Sequence, residues 1–228
     1  MAAASVSAGS SLSPLLVKRI QNELKLMRKD PHELIDILPD EKDIRTWYFL
    51  IRGPDDTDYK NGLYIGKLIL SEGYPSTPVD FYMLTPNGRF EINKKICLTI
   101  SSYHSDQWSP IWTIPKILGA FLSVMASDFD VGLSHIKLSP KERKAMAIQS
   151  ESFNITNYSN IYKNFVRFID YDESTDTFRT KTSEEILAEM PKPKIKKIKN
   201  PSAISGGASS HPDEFDFKFD ISKIKLTE

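Results

Sequence analysis

The chain has 228 residues, in which 30 Lys and Arg balance 30 Asp and Glu for a formal net charge of zero. That balance leaves no global field to draw the protein onto nucleic acid or an anionic membrane, so neither is expected as a partner. A single cysteine excludes an internal disulfide scaffold, while 40% apolar and 11% aromatic residues suffice for a sizeable core.

Residues 1–13 are small and Ser-rich, without the basic start and apolar block of a signal peptide, and are expected to be a flexible N-terminus. Ser13 suits an N-cap and Pro14 a first helical position, so a helix is predicted over Pro14 to Lys29. Leu16, Ile20, Leu24 and Met27 recur on one face of it, with Lys18, Arg19, Lys25, Arg28 and Lys29 on the other, and Asp30-Pro31 stops it. Strands are predicted at Trp47–Arg52, Leu63–Leu70 and Val79–Leu84, with a weaker one at Ile35–Leu38. Short turn-rich links between four strands imply an antiparallel meander.

From Phe90 to Trp112 the periodicity is lost. Ile114 to Met125 then carries a broad apolar stripe, a second helix. Ser139-Pro140-Lys141-Glu142 is a capping box that opens a third, to about Ser150, and Asn157 to Phe168 reads as a fourth. These elements define a core domain over residues 14–170. Residues 171–228 are expected to form a mostly flexible, mixed-charge tail, with a brief helix at Glu184–Met190. The longest apolar stretch, Ile117 to Ala126, is far short of the roughly 20 residues that span a bilayer, so no transmembrane segment is predicted. No Cys/His cluster has zinc-ligand spacing; neither metal nor cofactor is expected, and the composition suits a cytoplasmic, or nuclear, protein with reduced thiols.

The ordered run Tyr74-Pro75 to Pro78, Thr85-Pro86-Asn87-Gly88-Arg89-Phe90, Ile96-Cys97-Leu98 and Trp108-Ser109-Pro110 resembles the ubiquitin-conjugating enzymes. The resemblance is to their divergent branch associated with endoplasmic-reticulum quality control. That branch has Thr-Pro-Asn-Gly-Arg-Phe where most of the family has His-Pro-Asn, and a His-Pro-Asp-x-Trp element matched here by His104-Ser105-Asp106-Gln107-Trp108. The resemblance covers residues 14–169 and implies an α+β ubiquitin-conjugating fold: an N-terminal helix, a four-stranded antiparallel meander and C-terminal helices. It also implies transthiolation: an activating enzyme hands ubiquitin to Cys97, which holds it as a thioester. With a ligase of the RING type, the ubiquitin passes to a substrate protein's lysine, or to Ser or Thr. A thiol suits this chemistry because its thiolate is both a strong nucleophile and a good leaving group.

Taken alone, Cys97 before Leu98 and Ile100 reads as a buried small hydrophobe. Its polar, non-periodic setting and the resemblance make it the catalytic nucleophile. Asn87 is a turn residue in an Asn-Gly pair; the resemblance adds a role in holding the active-site loop or stabilising the tetrahedral oxyanion. His104, with Asp106 nearby, is either a general base or a brace for the loop around Trp108. Thr99 stands where many members place an Asp, and His135 is a weaker alternative base. The His that Thr85 replaces looks mainly structural in the family.

Trp108 and Trp112 read as packing residues. Pro110 and Ile111 match the loop that meets ligases. On the preceding loop Ser76 follows Pro75 where many members have Phe, which puts the usual choice of ligase in doubt. Lys18 and Arg19 are a solvated face by default and, by resemblance, contacts for the activating enzyme. The branch usually ends in a membrane anchor, and none is seen here. The Lys192, Lys194, Lys196, Lys197 and Lys199 cluster reads as a solvated linker or a polyanion patch. Rival readings are an inactive ubiquitin-binding module on the same fold, a carrier of a ubiquitin-like modifier, and an unrelated thiol enzyme, for which the motifs are wrong.

Overall fold

A computed structural model describes residues 14–96, 108–127 and 134–191. Helix α1 (Pro14–Lys29) turns Leu16, Ile20, Glu23 and Leu24 inward and closes on Arg28 and Lys29, cations that suit the negative end of a helix. Strands β1 (Ile35–Pro39), β2 (Thr46–Arg52), β3 (Leu63–Leu70) and β4 (Val79–Met83) follow, joined in sequence order as the expected antiparallel meander. A fifth strand, β5 (Lys95–Ile96), adds two residues to the edge through Phe81 opposite Ile96 and Tyr82 opposite Lys95. Two residues are too few for alternation to betray a strand.

The register places Phe49 opposite Gly66, and Gly66 opposite Met83. A Cβ on Gly66 would lie 2.2 Å from the Phe49 ring, so only glycine lets that ring cross β3. Helix α2 (Ile114–Ala126) buries Ile114, Ile117, Leu118, Phe121, Leu122 and Met125 against this face. The Phe121 ring is 5.7 Å from Phe49, 5.3 Å from Phe81 and 5.4 Å from Phe90. Each such fully buried side chain contributes on the order of 1.5–3 kcal/mol.

Helix α3 (Pro140–Tyr162) opens on the expected capping box of Ser139 and Glu142. It runs on as one helix where two were expected, broken only at Tyr158, whose φ of −138° and ψ of 27° are non-helical. Its buried face is Ala147, Ser150, Asn154 and Tyr162, too polar to leave an apolar stripe in the sequence.

The chain beyond residue 170 departs from the expected tail. β6 (Ile169–Asp172) and β7 (Thr177–Thr180) form a hairpin, and α4 (Ser183–Glu189) follows on a second capping box of Thr182 and Glu185. Ile169 and Ile186, with Phe178 partly buried beside them, pack with Tyr162, Phe165 and Phe168 onto Leu50, Leu63, Ile65 and Leu84. Arg52 ties the layer down by donating to the Lys181 carbonyl at 2.6 Å. So few apolar anchors among charged residues leave no periodic signal. The expected flexible segments at residues 1–13 and 192–228 lie outside the described residues. Among the described residues, no helix is long and apolar enough to cross a membrane.

Candidate active site

Where β4 stops, β3 still presents the backbone groups of Leu63 and Ile65, which cannot be left bare in the interior. Leu84 and Thr85 donate their N–H groups to the Ile65 carbonyl at 2.9 and 3.1 Å. The Thr85 hydroxyl accepts from Ile65 N at 2.9 Å and donates to Asn154 Oδ1 at 2.5 Å. Asn154 Nδ2 donates to the Leu63 carbonyl at 2.8 Å, and Ser150 Oγ accepts from Leu63 N at 2.8 Å. Side chains of the Thr-Pro-Asn turn and of α3 therefore finish the sheet. Sequence reasoning missed Ser150 and Asn154, because polar residues on a polar helix read as solvated.

Asn87 is completely buried. Its Oδ1 accepts from Arg89 N at 2.9 Å and Phe90 N at 2.8 Å, while Nδ2 donates to the Thr85 carbonyl at 3.0 Å and, more weakly, to the Phe90 carbonyl at 3.4 Å. Both ends of the amide are spent on its own loop, the geometry of the loop-holding role. Gly88 next to it has φ of +73°, and a Cβ there would meet Arg143 Cγ at 2.8 Å, so the Asn-Gly pair is required twice over.

Residues 134–138 run alongside this turn: Glu91 N donates to the Ser134 carbonyl, Ile136 N to that of Arg89 and Leu138 N to that of Gly88. His135 sets its ring edge against Phe90, 4.9 Å away at 86°. The chain then enters β5 and reaches Ile96, one residue short of Cys97. Cys97, Thr99, His104 and Asp106 lie outside the described residues, which resume at Trp108.

An open cleft of about 1060 Å³ borders the Gly88 turn, lined among others by Asp58, Leu138, Arg143 and Lys144. Arg143 grips Asp58 Oδ2 with two donors, at 3.1 and 2.6 Å, and that hydrogen bonding holds the Asp58 carboxyl below the usual carboxylate range. Among the described residues, no group of three or more His, Cys, Asp or Glu side chains converges as a metal would need.

The residues expected to meet partners gather at the other end of α2. Pro110 and Ile111 are exposed, Ile111 by 77%, and Ser76 is exposed beside a half-buried Pro75. Trp108 Nε1 donates to the Pro75 carbonyl at 2.8 Å, and the Trp108 and Trp112 rings meet edge to face at 5.8 Å, in keeping with packing roles. Lys18 is exposed on α1. Arg19 is not a simple surface cation: it donates to the carbonyls of Pro110 at 2.8 Å and Trp112 at 2.5 Å, and its Nε lies 2.6 Å from Glu23. Glu23, fully buried, also accepts from the Tyr74 hydroxyl and from Ile114 N, both at 2.9 Å. Burial, reinforced by the Glu23 charge, raises the Tyr74 phenol well above its ordinary range. Sequence reasoning passed over Glu23, although an acidic residue within the Leu16, Ile20, Leu24 stripe is the signal that would have found it.

A sequence model described as ubiquitin-conjugating enzyme matches residues 19–134. The chain belongs to the ubiquitin-conjugating enzyme family. Ubiquitin-conjugating enzyme E2 32 of Arabidopsis thaliana is 42% identical over 134 residues, covering 59% of this chain and 43% of that protein. Ubiquitin-conjugating enzyme E2 J2-like of Dictyostelium discoideum is 38% identical over 141 residues, covering 62% of this chain and 82% of that protein. Ubiquitin-conjugating enzyme E2 J2 of Homo sapiens is 37% identical over 138 residues, covering 60% of this chain and 53% of that protein. The chain thus spans about half the length of several curated relatives. These relatives carry the resemblance to the endoplasmic-reticulum-associated branch. Among solved structures, human ubiquitin-conjugating enzyme E2 G1 is similar at 27% identity with a TM-score of 0.41, over 47% of this chain and 92% of that one.

Proposed function

We propose that this member of the family is an active ubiquitin carrier, with Cys97 as the residue that holds ubiquitin. The observation that carries the reading is the family match over residues 19–134, which contains Cys97. The buried Asn87 turn leading into β5 supports it, since it fixes the strand that ends one residue before the thiol. The Cys97 thiolate attacks the thioester carbonyl joining ubiquitin to the activating enzyme. A new C–S bond forms at Cys97 as the old one breaks, and the departing thiolate takes up the proton that Cys97 gave away. One thioester replaces another, so the step needs no further energy source.

Transfer follows when an acceptor lysine attacks the same carbonyl. The C–S bond breaks, the Cys97 thiolate re-forms and the amine's surplus proton passes to a base. We assign that base to His104, oriented by Asp106; a Ser or Thr hydroxyl, a poor nucleophile by itself, depends on it more. Asn87 acts chiefly as the loop's brace. An oxyanion role requires the planar amide to swing as a whole, giving up its bonds to Thr85, Arg89 and Phe90 in exchange for a contact to the developing charge, where such donors contribute on the order of 3 kcal/mol. A RING-type ligase engages the Pro75, Ser76, Pro110 and Ile111 face, and the reaction takes place in a reducing compartment, the cytoplasm or nucleus.

The test is a charging assay with ubiquitin, activating enzyme and ATP, run with and without reductant. A reductant-sensitive band one ubiquitin heavier, lost in Cys97→Ala, is the expected result. Its absence from folded protein would favour a different modifier or a non-catalytic binding module.

A further inference from the structure

The geometry points to Glu23 as a positioning residue: with Arg19 and Tyr74 it sets the shape of the Pro110–Trp112 segment and thereby the way Ile111 is presented to a RING-type ligase domain. The inference rests on the ligase reading above and deepens it.

A fully buried carboxylate is costly unless its lone pairs are taken. Glu23 meets that demand from three elements at once. Oε1 accepts from Arg19 on its own helix and from Tyr74 in the turn after β3, and Oε2 accepts from Ile114, the first N–H of α2. Arg19 then carries the constraint outward. One guanidinium donates to the carbonyls on both sides of Ile111, those of Pro110 and Trp112, while standing 5.4 Å from the centre of the Tyr74 ring. The segment is also held by Trp112 N donating to the Ser109 carbonyl at 3.0 Å and by the Trp112 ring against Trp108, whose Nε1 donates to the Pro75 carbonyl.

Held in this way, the short segment leaves the Ile111 side chain 77% exposed. A large apolar side chain on a rigid turn suits a partner with an apolar pocket, because no loop entropy is lost when it binds. The adjoining turn offers Ser76 and no aromatic anchor. Among the described residues of this face Ile111 is the most exposed large apolar side chain, and its placement governs recognition. Arg19 in turn acts through the segment rather than by touching a partner, since its guanidinium is occupied by the fold; its side chain is only 19% exposed.

A double-mutant cycle tests this. Thioesters of wild type, Glu23→Gln, Ile111→Ala and the double variant are formed, isolated and matched in amount. Discharge to free lysine is then followed against the concentration of one RING domain, the member of a panel that most accelerates the wild type. Each single variant is expected to raise the half-saturating concentration about tenfold, the scale of one lost anchor, with the saturated rate kept. The double variant is expected to be no worse than either single one, because Glu23 works through Ile111. Additive losses, or a fall in the saturated rate alone, would overturn the proposal.

Should Glu23→Gln not fold, Arg19→Lys replaces it, since an ammonium cannot span both carbonyls. Either variant is expected to speed hydrogen exchange at Ile111 and Trp112 without loosening the rest of α2, and unchanged exchange there would also count against the idea. A wild type that forms no thioester would sink the carrier function itself. A thioester that no RING domain of the panel accelerates would sink the ligase face alone.

Discussion

Thr85 Oγ1 donates to Asn154 Oδ1 at 2.5 Å, tying the turn that leads to Cys97 to the middle of a long polar helix. The same hydroxyl takes the open N–H of Ile65 as well. Thr85→Val keeps the shape and removes the hydroxyl, so Ile65 N and Asn154 Oδ1 both lose a partner in the dry interior. Each unsatisfied group costs about 1–3 kcal/mol, and the melting temperature should fall by roughly 5–10 °C on that scale. Thr85→Ser restores both bonds and should recover most of the loss. If valine melted with the wild type, the network would not be a stabilising one.

The two roles of Asn87 are separable by what each replacement keeps. Asn87→Asp retains an oxygen for the Arg89 and Phe90 amides but loses both Nδ2 donors, on which any oxyanion role depends. Its second carboxylate oxygen then faces the Thr85 and Phe90 carbonyls in a dry site, so the variant should lose substantial stability. The folded fraction should accept ubiquitin at a near-normal rate and discharge it about 100-fold more slowly, the effect of removing one oxyanion donor. Asn87→Ala frees the Arg89 and Phe90 amides without burying a charge, so its melt reports the brace alone. Normal discharge by a folded Asn87→Asp would leave the brace as the residue's whole function. The readout is single-turnover discharge to lysine beside a thermal melt.

The elements legible in the sequence were those whose period is carried by apolar side chains. Trp47, Phe49 and Ile51, and the stripe of Ile114, Ile117, Phe121 and Met125, made their strand and helix plain, and the Ser139 box marked where α3 begins. What escaped is held by polar contacts between distant residues. Glu23 lies in α1 yet binds Tyr74 and Ile114, and Asn154 looks solvated until β3 is known to need it. Arg19 read as a solvated or partner-facing cation and not as the clamp of a segment 91 residues away, because no local pattern encodes that distance. Cys97 was marked by its polar, non-periodic setting together with the family resemblance, and His104 by the carboxylate of Asp106 two residues on.

His32 supplies a pH dependence of definite sign. Its Nδ1 accepts from Leu34 N at 3.0 Å, a bond that only the neutral ring can make. Burial, together with the charge of Arg167, lowers its pKa against the pull of Glu33 and Asp30. The unfolded chain then binds the proton more readily than the native one. Stability is complete above the ordinary imidazole value of about 6.5 and declines as the pH falls from there to the lowered native value. His32→Asn keeps a side-chain acceptor for the amide two residues on and cannot titrate. Urea midpoints at pH 7.5 and 5.5 should therefore differ more for the wild type than for the variant. The buried Asp36, whose carboxyl burial pushes upward, is common to both proteins and cancels in that comparison. Equal slopes would remove His32 from the acid response.

The hairpin and helix after residue 170 decide where the folded unit can be cut. Ile186 is 3% exposed and Ile169 1%, and together they roof Leu50, Leu63 and Ile65 on the outer face of the sheet. A chain ending at Asp170 loses Ile186, Phe178 and the Lys181 carbonyl that receives Arg52, and it uncovers the apolar row beneath. At roughly 1.5–3 kcal/mol for each apolar side chain removed from the layer, the loss is about 3–6 kcal/mol. That lowers the melting temperature by on the order of 10 °C relative to a chain ending at Pro191. The uncovered face should also bind a hydrophobic dye and promote self-association. Arg52→Ala in the chain ending at Pro191 isolates the tie from the roof, and should cost about 1–2 kcal/mol with no gain in dye binding. Were the shorter chain to melt with the longer one, the hairpin and α4 would be an appendage rather than part of the core.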